Sequence, residues 1–364
     1  MGHKLVGILL NAAMHRGVPR LQTGQESIAN YEEAAAAFGL IPCFLKLSDI
    51  DMKSGLCIAY LKYPEGYRRV AIPVPAVIHN RAIYDRDSRE IEQLVRQGLM
   101  VFNTCNRYGK DQIHGLLEQN EALREFLPAT ASGYAGLKDM MQEYPDLILK
   151  PSRGSVGQGV MRLTGTGSGR WNWMYQQAGS RRWVKASVRQ SALPAVLRAR
   201  LSKVSYVVQE RIPLAEIDKR PFDLRVTVQR GWGGEWQVTG MFAKLAAEGS
   251  FVSNIARGGE ALPSALALER AFGSADAAQL RCSVASLSLA VARELSLSLP
   301  GLADIGLDIG VTRDKRVVFI ECNARDQRYG FRKAGLGGAW KDSYRRPMGY
   351  ARQLLEAPSL YNGY

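Results

Sequence analysis

Residues 304–323 constrain the fold of this chain more than any other stretch. Two apolar runs, 304–311 and 317–321, flank a polar turn at 313–315, a pattern that predicts a β-hairpin. Within "DIGVTRDKRVVFIECN" (308–323), Asp308 stands near the end of the first strand, and Glu321 and Asn323 end the second. Strand side chains repeat every two residues, so Glu321 and Asn323 share a face and the hairpin folds Asp308 back toward it. Two carboxylates and an amide oxygen make an all-oxygen donor set, the hard ligands that suit Mg²⁺ on nucleotide phosphates. Cys322, between two of them, is expected on the opposite, buried face.

A second segment, "ILKPSRGSVGQGV" (148–160), ends an apolar run on Lys150 and then packs small residues closely: Ser152, Gly154, Ser155, Gly157 and Gly159. Such a loop cradles phosphate, because glycine lets backbone N–H groups approach an anion. It is not a Walker loop, whose lysine follows the glycines. Nor is it the dinucleotide fingerprint, since the spacing is GxxGxG rather than GxGxxG. Residues 147–150 and 159–163 read as two strands of a hairpin carrying the glycines at its tip.

Charge reinforces this. The formal net charge is +14, and residues 147–209 hold eleven Lys and Arg and not one Asp or Glu. A second basic stretch, 325–352, holds eight cations against two Asp. A basic face around a phosphate-type loop points to a polyanionic ligand. The five cysteines (Cys43, Cys57, Cys105, Cys282, Cys322) form no CxxC pair, which argues against a zinc site or disulfide scaffold and suits a reducing cytoplasm. His3, His15, His79 and His114 are scattered, which disfavours a histidine-bound metal. No apolar run approaches the about 18 residues of a membrane span. Residues 5–14 read as a first buried strand rather than a signal peptide, because Asn11 interrupts them.

At 364 residues the chain is expected to divide into two or three subdomains. Residues 1–105 read as an α/β unit with strands at 5–10, 41–45 and 76–79, helices at 26–38 and 86–97, and an irregular connection at 64–75. A polar helix is expected at 110–126, a flexible break at 165–169, and a mostly helical segment at 181–203. Strands follow at 206–209, 223–230 and 235–245, the last two joined by a "GWGG" turn, and a long helix at 277–297.

These motifs, in this order, resemble the ATP-grasp superfamily from about residue 110 to 326. The resemblance implies an α/β (α+β) ATP-grasp fold: a Rossmann-like N-terminal unit (1–105), a small subdomain with the phosphate loop (106–205), and a C-terminal subdomain (206–364), with nucleotide between the last two. "GKDQIHGLL" supplies a first nucleotide lysine, Lys110, and "LILKPSRGSVGQGV" a second, Lys150, with its loop. "YVVQERI" looks like the hinge whose backbone at Glu210 and Ile212 would meet adenine, with Gln209 beside it, and Glu216 is a candidate for the ribose. "FDLRVTV" gives Asp223 and Arg225, the latter reaching phosphate or an acyl intermediate. "FVSNIARGGEA" is similar to the Asn-plus-Gly-Gly loop of the glutathione synthetase and ribosomal-protein glutamate ligase branches. That loop puts Asn254 and Arg257 beside Arg225 and Lys150 as catalytic candidates. Asp308, Glu321 and Asn323 would be the metal ligands, holding two Mg²⁺ ions with ATP. The wording "KPSRGSVGQGV" and "ECNARDQRYGF" is most like the YheC/YheD-type proteins associated with the endospore coat. Two positions depart from the superfamily. "ARDQRYG" replaces the usual Pro-Gly after the metal Asn, and Gly306 stands where D-alanine ligases carry arginine.

The resemblance implies an ATP-dependent carboxylate–amine ligase. It would pass through an acyl phosphate, release ADP and phosphate, and act on a small-molecule or peptide carboxylate and amine. The expected location is cytoplasmic or spore-associated. Two other readings stand beside it: a non-catalytic nucleotide-binding coat or scaffold protein, and a nucleic-acid-binding protein using the acid-free segment. In the last, Trp171, Trp173, Tyr175 and Trp183, interleaved with arginines, would stack bases, although packing is the more ordinary use of such residues. Arg181, Arg182 and Lys185 are expected to open a helix and face an anionic substrate.

Overall fold

The computed structural model describes residues 4–84, 89–154, 157–177, 182–203 and 205–361. Three sheets follow one another along the chain, and each has a helix-covered face.

The first sheet contains β1 (Lys4–Leu9), β2 (Leu40–Leu45), β3 (Ile50–Asp51), β4 (Leu56–Tyr63), β5 (Gly66–Pro73), β6 (Val77–Asn80) and β7 (Met100–Phe102). Its central order β2-β1-β6-β7 is parallel, so both faces need cover. Helices α1 (Ala12–Gly17), α2 (Ile28–Ala36) and α3 (Arg89–Arg96) lie between these strands in the chain. Val6 and Ile8 pack with α2, and Leu9 packs with α3. Residues 64–75, expected to be irregular, instead contain β5, which pairs with β4 along its whole length. That hairpin leaves much of both strands exposed, so its side chains show no clean apolar alternation.

Helices α4 (Lys110–Glu118) and α5 (Glu121–Arg124) lead to the second sheet. This comprises β8 (Thr130–Ser132), β9 (Asp146–Pro151), β10 (Met161–Gly167), β11 (Arg170–Gln176), β12 (Trp183–Arg189) and β13 (Tyr206–Glu210), in the order β12-β11-β10-β9-β13-β8. Helices α6 (Gly133–Glu143) and α7 (Ala195–Lys203) cover one face. The glycine loop joins β9 to β10 as expected. The break expected at 165–169 is instead the end of β10 and the two-residue turn Ser168–Gly169 into β11, with Gly167, Ser168 and Gly169 all at positive φ. The helical expectation for 181–203 holds only for α7, since 183–189 is an edge strand. Trp171 and Trp173 are buried under α6 and α7, Tyr175 stacks on Trp173, and Trp183 packs on Phe251. They are packing residues, not a base-stacking platform.

The third sheet comprises β14 (Glu216–Ile217), β15 (Arg220–Arg230), β16 (Trp236–Leu245), β17 (Glu260–Pro263), β18 (Asp304–Val311) and β19 (Val317–Asn323). Helices α8 (Ser264–Phe272) and α9 (Ser274–Ser298) cover one face, together with Ile113, Leu117 and Leu123 from α4 and α5. Period two sorts the strand residues: Leu224, Val226, Val228, Ile305, Leu307 and Ile309 enter that core. Asp223, Arg225, Thr227, Gln229, Asp304 and Asp308 take the other face and are buried there. Helix α10 (Tyr329–Lys333) follows, and α11 (Gly337–Glu356) returns to the first sheet, where Tyr344, Met348 and Leu354 join its core.

The packing therefore does not break at 105/106 and 205/206. α4 and α5 pack with the third sheet, β13 sits between β9 and β8 of the second, and α11 closes the first.

Candidate active site

Two β-bulges decide which side chains reach the cleft between the second and third sheets. Paired regularly from Val311–Val317, β18 and β19 would set Asp308 opposite Ile320. A bulge between Asp308 and Ile309 moves its partner to Glu321 and leaves Gly306 opposite Asn323. Asp308, Glu321 and Asn323 thus share a face, and all three line one cavity of about 210 Å³. Cys322 points the other way, against the core of the third sheet, and burial pushes its thiol up. In β15–β16 a second bulge, at Thr227/Val228, shifts the partner of Asp223 to Lys244. Without it Lys244 would face the helices.

The opposite wall comes from the second sheet. Lys150 is half-buried near the end of β9, and its Nζ donates to Gln209 Oε1 at 2.9 Å. Gln209 in turn donates to Thr130 Oγ1 at 3.0 Å. Burial lowers the Lys150 pKa, with the Glu321 carboxylate opposing the shift. Lys110, at the start of α4, donates to the Gly154 carbonyl at 3.1 Å and lies 3.4 Å from Glu321 Oε1. Its backbone N–H reaches the Ser152 carbonyl at 3.1 Å. The two lysines and the glycine loop therefore face the acidic hairpin across the cavity.

On its floor, Arg225 Nε and Nη2 donate to Asp308 at 2.7 and 3.3 Å. Lys244 Nζ lies 2.9 Å from Asp223 and 3.0 Å from Asp308. Burial would raise Asp308, but Arg225 and Lys244 hold it well below the usual carboxylate range. Burial raises Asp223, Lys244 pulls it back, and Asp308 adds to the rise. Asp223 is thus the more readily protonated of the pair.

Gly154 and Gly157 line the cavity. Ser152 does not; it is buried and donates to Asp111, tying the loop to α4. Gly159 lies outside the lining, at φ +73°, where an added Cβ would meet Pro151 at 2.9 Å. Ser155 and Arg181 lie outside the described residues. At the hinge, the Glu210 N–H goes to Ala129 and the Ile212 carbonyl accepts from Leu214. Neither bond uses the Glu210 carbonyl or the Ile212 N–H, and both residues line the cavity. Asn254 lines it too, capping the turn 255–257 through Ala256 N–H at 2.8 Å. Arg257 lies beside Gly157 and donates to Gln176, outside the lining. Glu216 does not reach the cavity; it pairs with Arg313, which corrects the expected ribose contact. Sequence reasoning gave no role to Gln327 and Tyr329, which also line the cavity.

The donor set fits a hard divalent cation. Glu321 and Asn323 sit two residues apart on one face beside Asp308, so two carboxylates and an amide, whose oxygen is its ligand atom, line one cavity. A cation on Asp308 would take the place of the Lys244 contact. Among the described residues, no cluster of three or more His, Cys, Asp or Glu forms a separate metal site.

Three sheets with a cleft between the last two, a glycine loop over it and an acid–amide hairpin beneath define an ATP-grasp protein. The chain belongs to the YheC/D-like ATP-grasp family, whose match runs over residues 98–354. It is 22% identical over 320 residues to endospore coat-associated protein YheD of Bacillus subtilis (strain 168), covering 84% of this chain and 69% of YheD. It is 21% identical over 275 residues to endospore coat-associated protein YheC of the same organism, covering 72% of this chain and 73% of YheC. Among solved structures, D-alanyl-alanine synthetase A from Vibrio cholerae superposes with TM-score 0.54 at 13% identity, covering 98% and 97% of the two chains. The ATP-grasp ligase PsnB, complexed with minimal precursor, gives 0.51 at 17%, covering 94% and 99%. At these identities the structures establish the fold.

Proposed function

We propose that this protein is an ATP-dependent carboxylate–amine ligase acting on an amino acid or peptide. The observation that carries the reading is the meeting of Lys110, Lys150, the glycine loop and the Asp308/Glu321/Asn323 face on one cavity. In this reading Lys110 and Lys150 neutralise the phosphates, and the Glu210 and Ile212 backbone holds adenine. Arg225 stabilises the charge that develops as the γ-phosphoryl passes to the substrate carboxylate, so catalysis is positioning plus electrostatics. Mg²⁺ on Asp308, Glu321 and Asn323 would supply further charge neutralisation at the phosphates. Gly154 and Gly157, on the cavity wall, help exclude water from the acyl phosphate until an amine attacks. The test is ADP release screened over amino acids and peptides, with mass spectrometry of the product. ATP binding without turnover on any of them would instead favour a nucleotide-binding coat protein. The relatives' names associate them with the endospore coat, and by that likeness we place this chain at the spore or in the cytoplasm. No helix among the described residues is long and apolar enough to cross a membrane.

Lys150→Ala is expected to weaken ATP binding by about 1.5–3 kcal/mol, the worth of a hydrogen bond to a charged partner, or roughly 10- to 150-fold. Lys203→Ala removes the same charge from the exposed end of α7, outside the cavity, and is the control. Equal affinities by calorimetry would remove Lys150 from the nucleotide site.

The acid-free segment contributes differently from expectation. The register row Gln209–Ile148–Arg162–Met174–Lys185 crosses the sheet from hinge to edge, so Lys185 shares the cavity face with Ile148 and Gln209. Lys185 and Arg189 are exposed on β12 and have no ion-pair partner among the described residues. The double variant Lys185→Ala/Arg189→Ala is expected to raise the acceptor KM severalfold and leave the ATP KM unchanged, an effect that salt erodes. If neither KM moves at low salt, this edge is plain surface.

A further inference from the structure

Gly306 and the segment after Asn323, the two departures from the superfamily pattern, meet at one buried carboxylate. Asp326 is 1% exposed. Its Oδ1 accepts from Arg225 Nη1 at 3.1 Å, and its Oδ2 accepts from Thr227 Oγ1. Its main-chain carbonyl accepts from Arg81 Nη2 at 2.6 Å, so the N-terminal unit holds the segment in place. Gly306 pairs with Thr227 across β15–β18, and an added Cβ there would lie 2.2 Å from Asp326 Oδ1. Any side chain at 306 would occupy the carboxylate's space.

The consequence falls on Arg225. A guanidinium has five N–H donors. Asp308 takes two, on Nε and Nη2, and Asp326 takes one, on Nη1. One N–H remains on each Nη of a residue that lines the cavity, a fork suited to two oxygens of one phosphate. Asp308 cannot be the sole anchor of that fork, because Lys244 already shares its Oδ1 and any bound cation would draw on the same carboxylate. Asp326 lies outside the cavity lining, and its Oδ1 holds Arg225 Nη1 at 3.1 Å.

We propose that Asp326 is the residue that positions Arg225 for the terminal phosphate of ATP, and that Gly306 is glycine in order to admit it. This rests on Arg225 serving the γ-phosphoryl group in the ligase reading. Asp326→Asn keeps the size and drops the charge. It should weaken binding of Mg²⁺-AMP-PNP at least about tenfold by calorimetry, and that of Mg²⁺-ADP less than about twofold. Gly306→Ala and Thr227→Val disturb the same carboxylate from two other sides and should show the same selectivity, so the outcome does not hang on one variant's folding. In an Arg225→Ala background, Asp326→Asn should have no further effect, since the cycle isolates the coupling. A uniform loss for both nucleotides, no loss, or a loss that persists without Arg225 would each overturn the proposal. Wild-type protein that binds neither nucleotide would sink the ligase reading itself. Selective loss in Arg225→Ala but not in the Asp326, Gly306 or Thr227 variants would sink only this one.

Discussion

Glu321→Ala is expected to lower ADP release roughly a hundredfold, about 2.7 kcal/mol of barrier, with the melting temperature nearly unchanged. Glu321 is only partly buried, and it lies on the cavity face of β19 directly opposite Asp308. Among the described residues its ion-pair partner is Lys110, at 3.4 Å. Removing it therefore strands no deeply buried charge, which is why stability should survive. Phosphate charge in the transition state loses a carboxylate that would hold the neutralising cation, which is why the rate should not. The measurement is initial velocity against Mg²⁺ concentration, with circular dichroism melts in parallel. A variant that turns over at the wild-type rate in limiting Mg²⁺ would remove Glu321 from the metal site and leave the hairpin a structural feature.

What made that hairpin readable was local. Apolar alternation, a polar turn and acids at the strand ends all lie within twenty residues, and so does the glycine loop between its strands. The same period-two pattern was present at 183–189, where Val184, Ala186 and Val188 alternate with Lys185, Ser187 and Arg189. The Ala- and Arg-rich run that becomes α7 masked it. Lys244 was not decidable from spacing, because only the bulge at Thr227/Val228 turns it toward Asp223. A bulge depends on what the sheet must avoid and cover, and no residue type announces it. Gly306 and Asp326 lie twenty residues apart, and only the fold brings them together, where a Cβ at 306 would meet the Asp326 carboxylate. Residues 337–356 read only as part of a basic stretch; Gly337, Gly338 and Pro347 obscure α11, and nothing in them signals that it will close the first sheet, about 300 residues away in the chain. The ATP-grasp assignment was legible through the order of six motifs, each of them weak alone.

The least legible feature carries the largest stability prediction: the ionic seam between the N-terminal unit and the third sheet. Asp304 is fully buried, and its Oδ2 accepts from Arg81 at 3.1 Å, from His79 Nε2 at 3.2 Å and from Arg328. Its Oδ1 accepts from Gln229 at 2.8 Å. Glu26 holds the other side of Arg81 at 2.8 Å and also takes Arg325 at 3.2 Å. Asp304→Ala would leave Arg81 and Arg328 buried with one counter-charge fewer, a loss of about 3–5 kcal/mol. The same seam sets the response to acid. Burial holds His79 neutral down to about 4, below its ordinary 6.5, despite the Asp304 carboxylate. Burial would raise Glu26, but Arg81, Arg328 and Arg325 bring it down to about 2 from 4.5. Both folded pKa values lie below the unfolded ones, so the unfolded chain takes up protons first and stability falls as pH falls. It is fully present above about pH 6.5, declines through His79 between 6.5 and 4, and declines through Glu26 between 4.5 and 2. The Glu26 shift alone corresponds to about 3 kcal/mol. Urea midpoints at pH 7, 5.5 and 4 test this, with His79→Phe expected to flatten the upper part of the decline. A midpoint constant across that range, or an Asp304→Ala loss below about 1 kcal/mol, would mean that water reaches the seam and screens its charges.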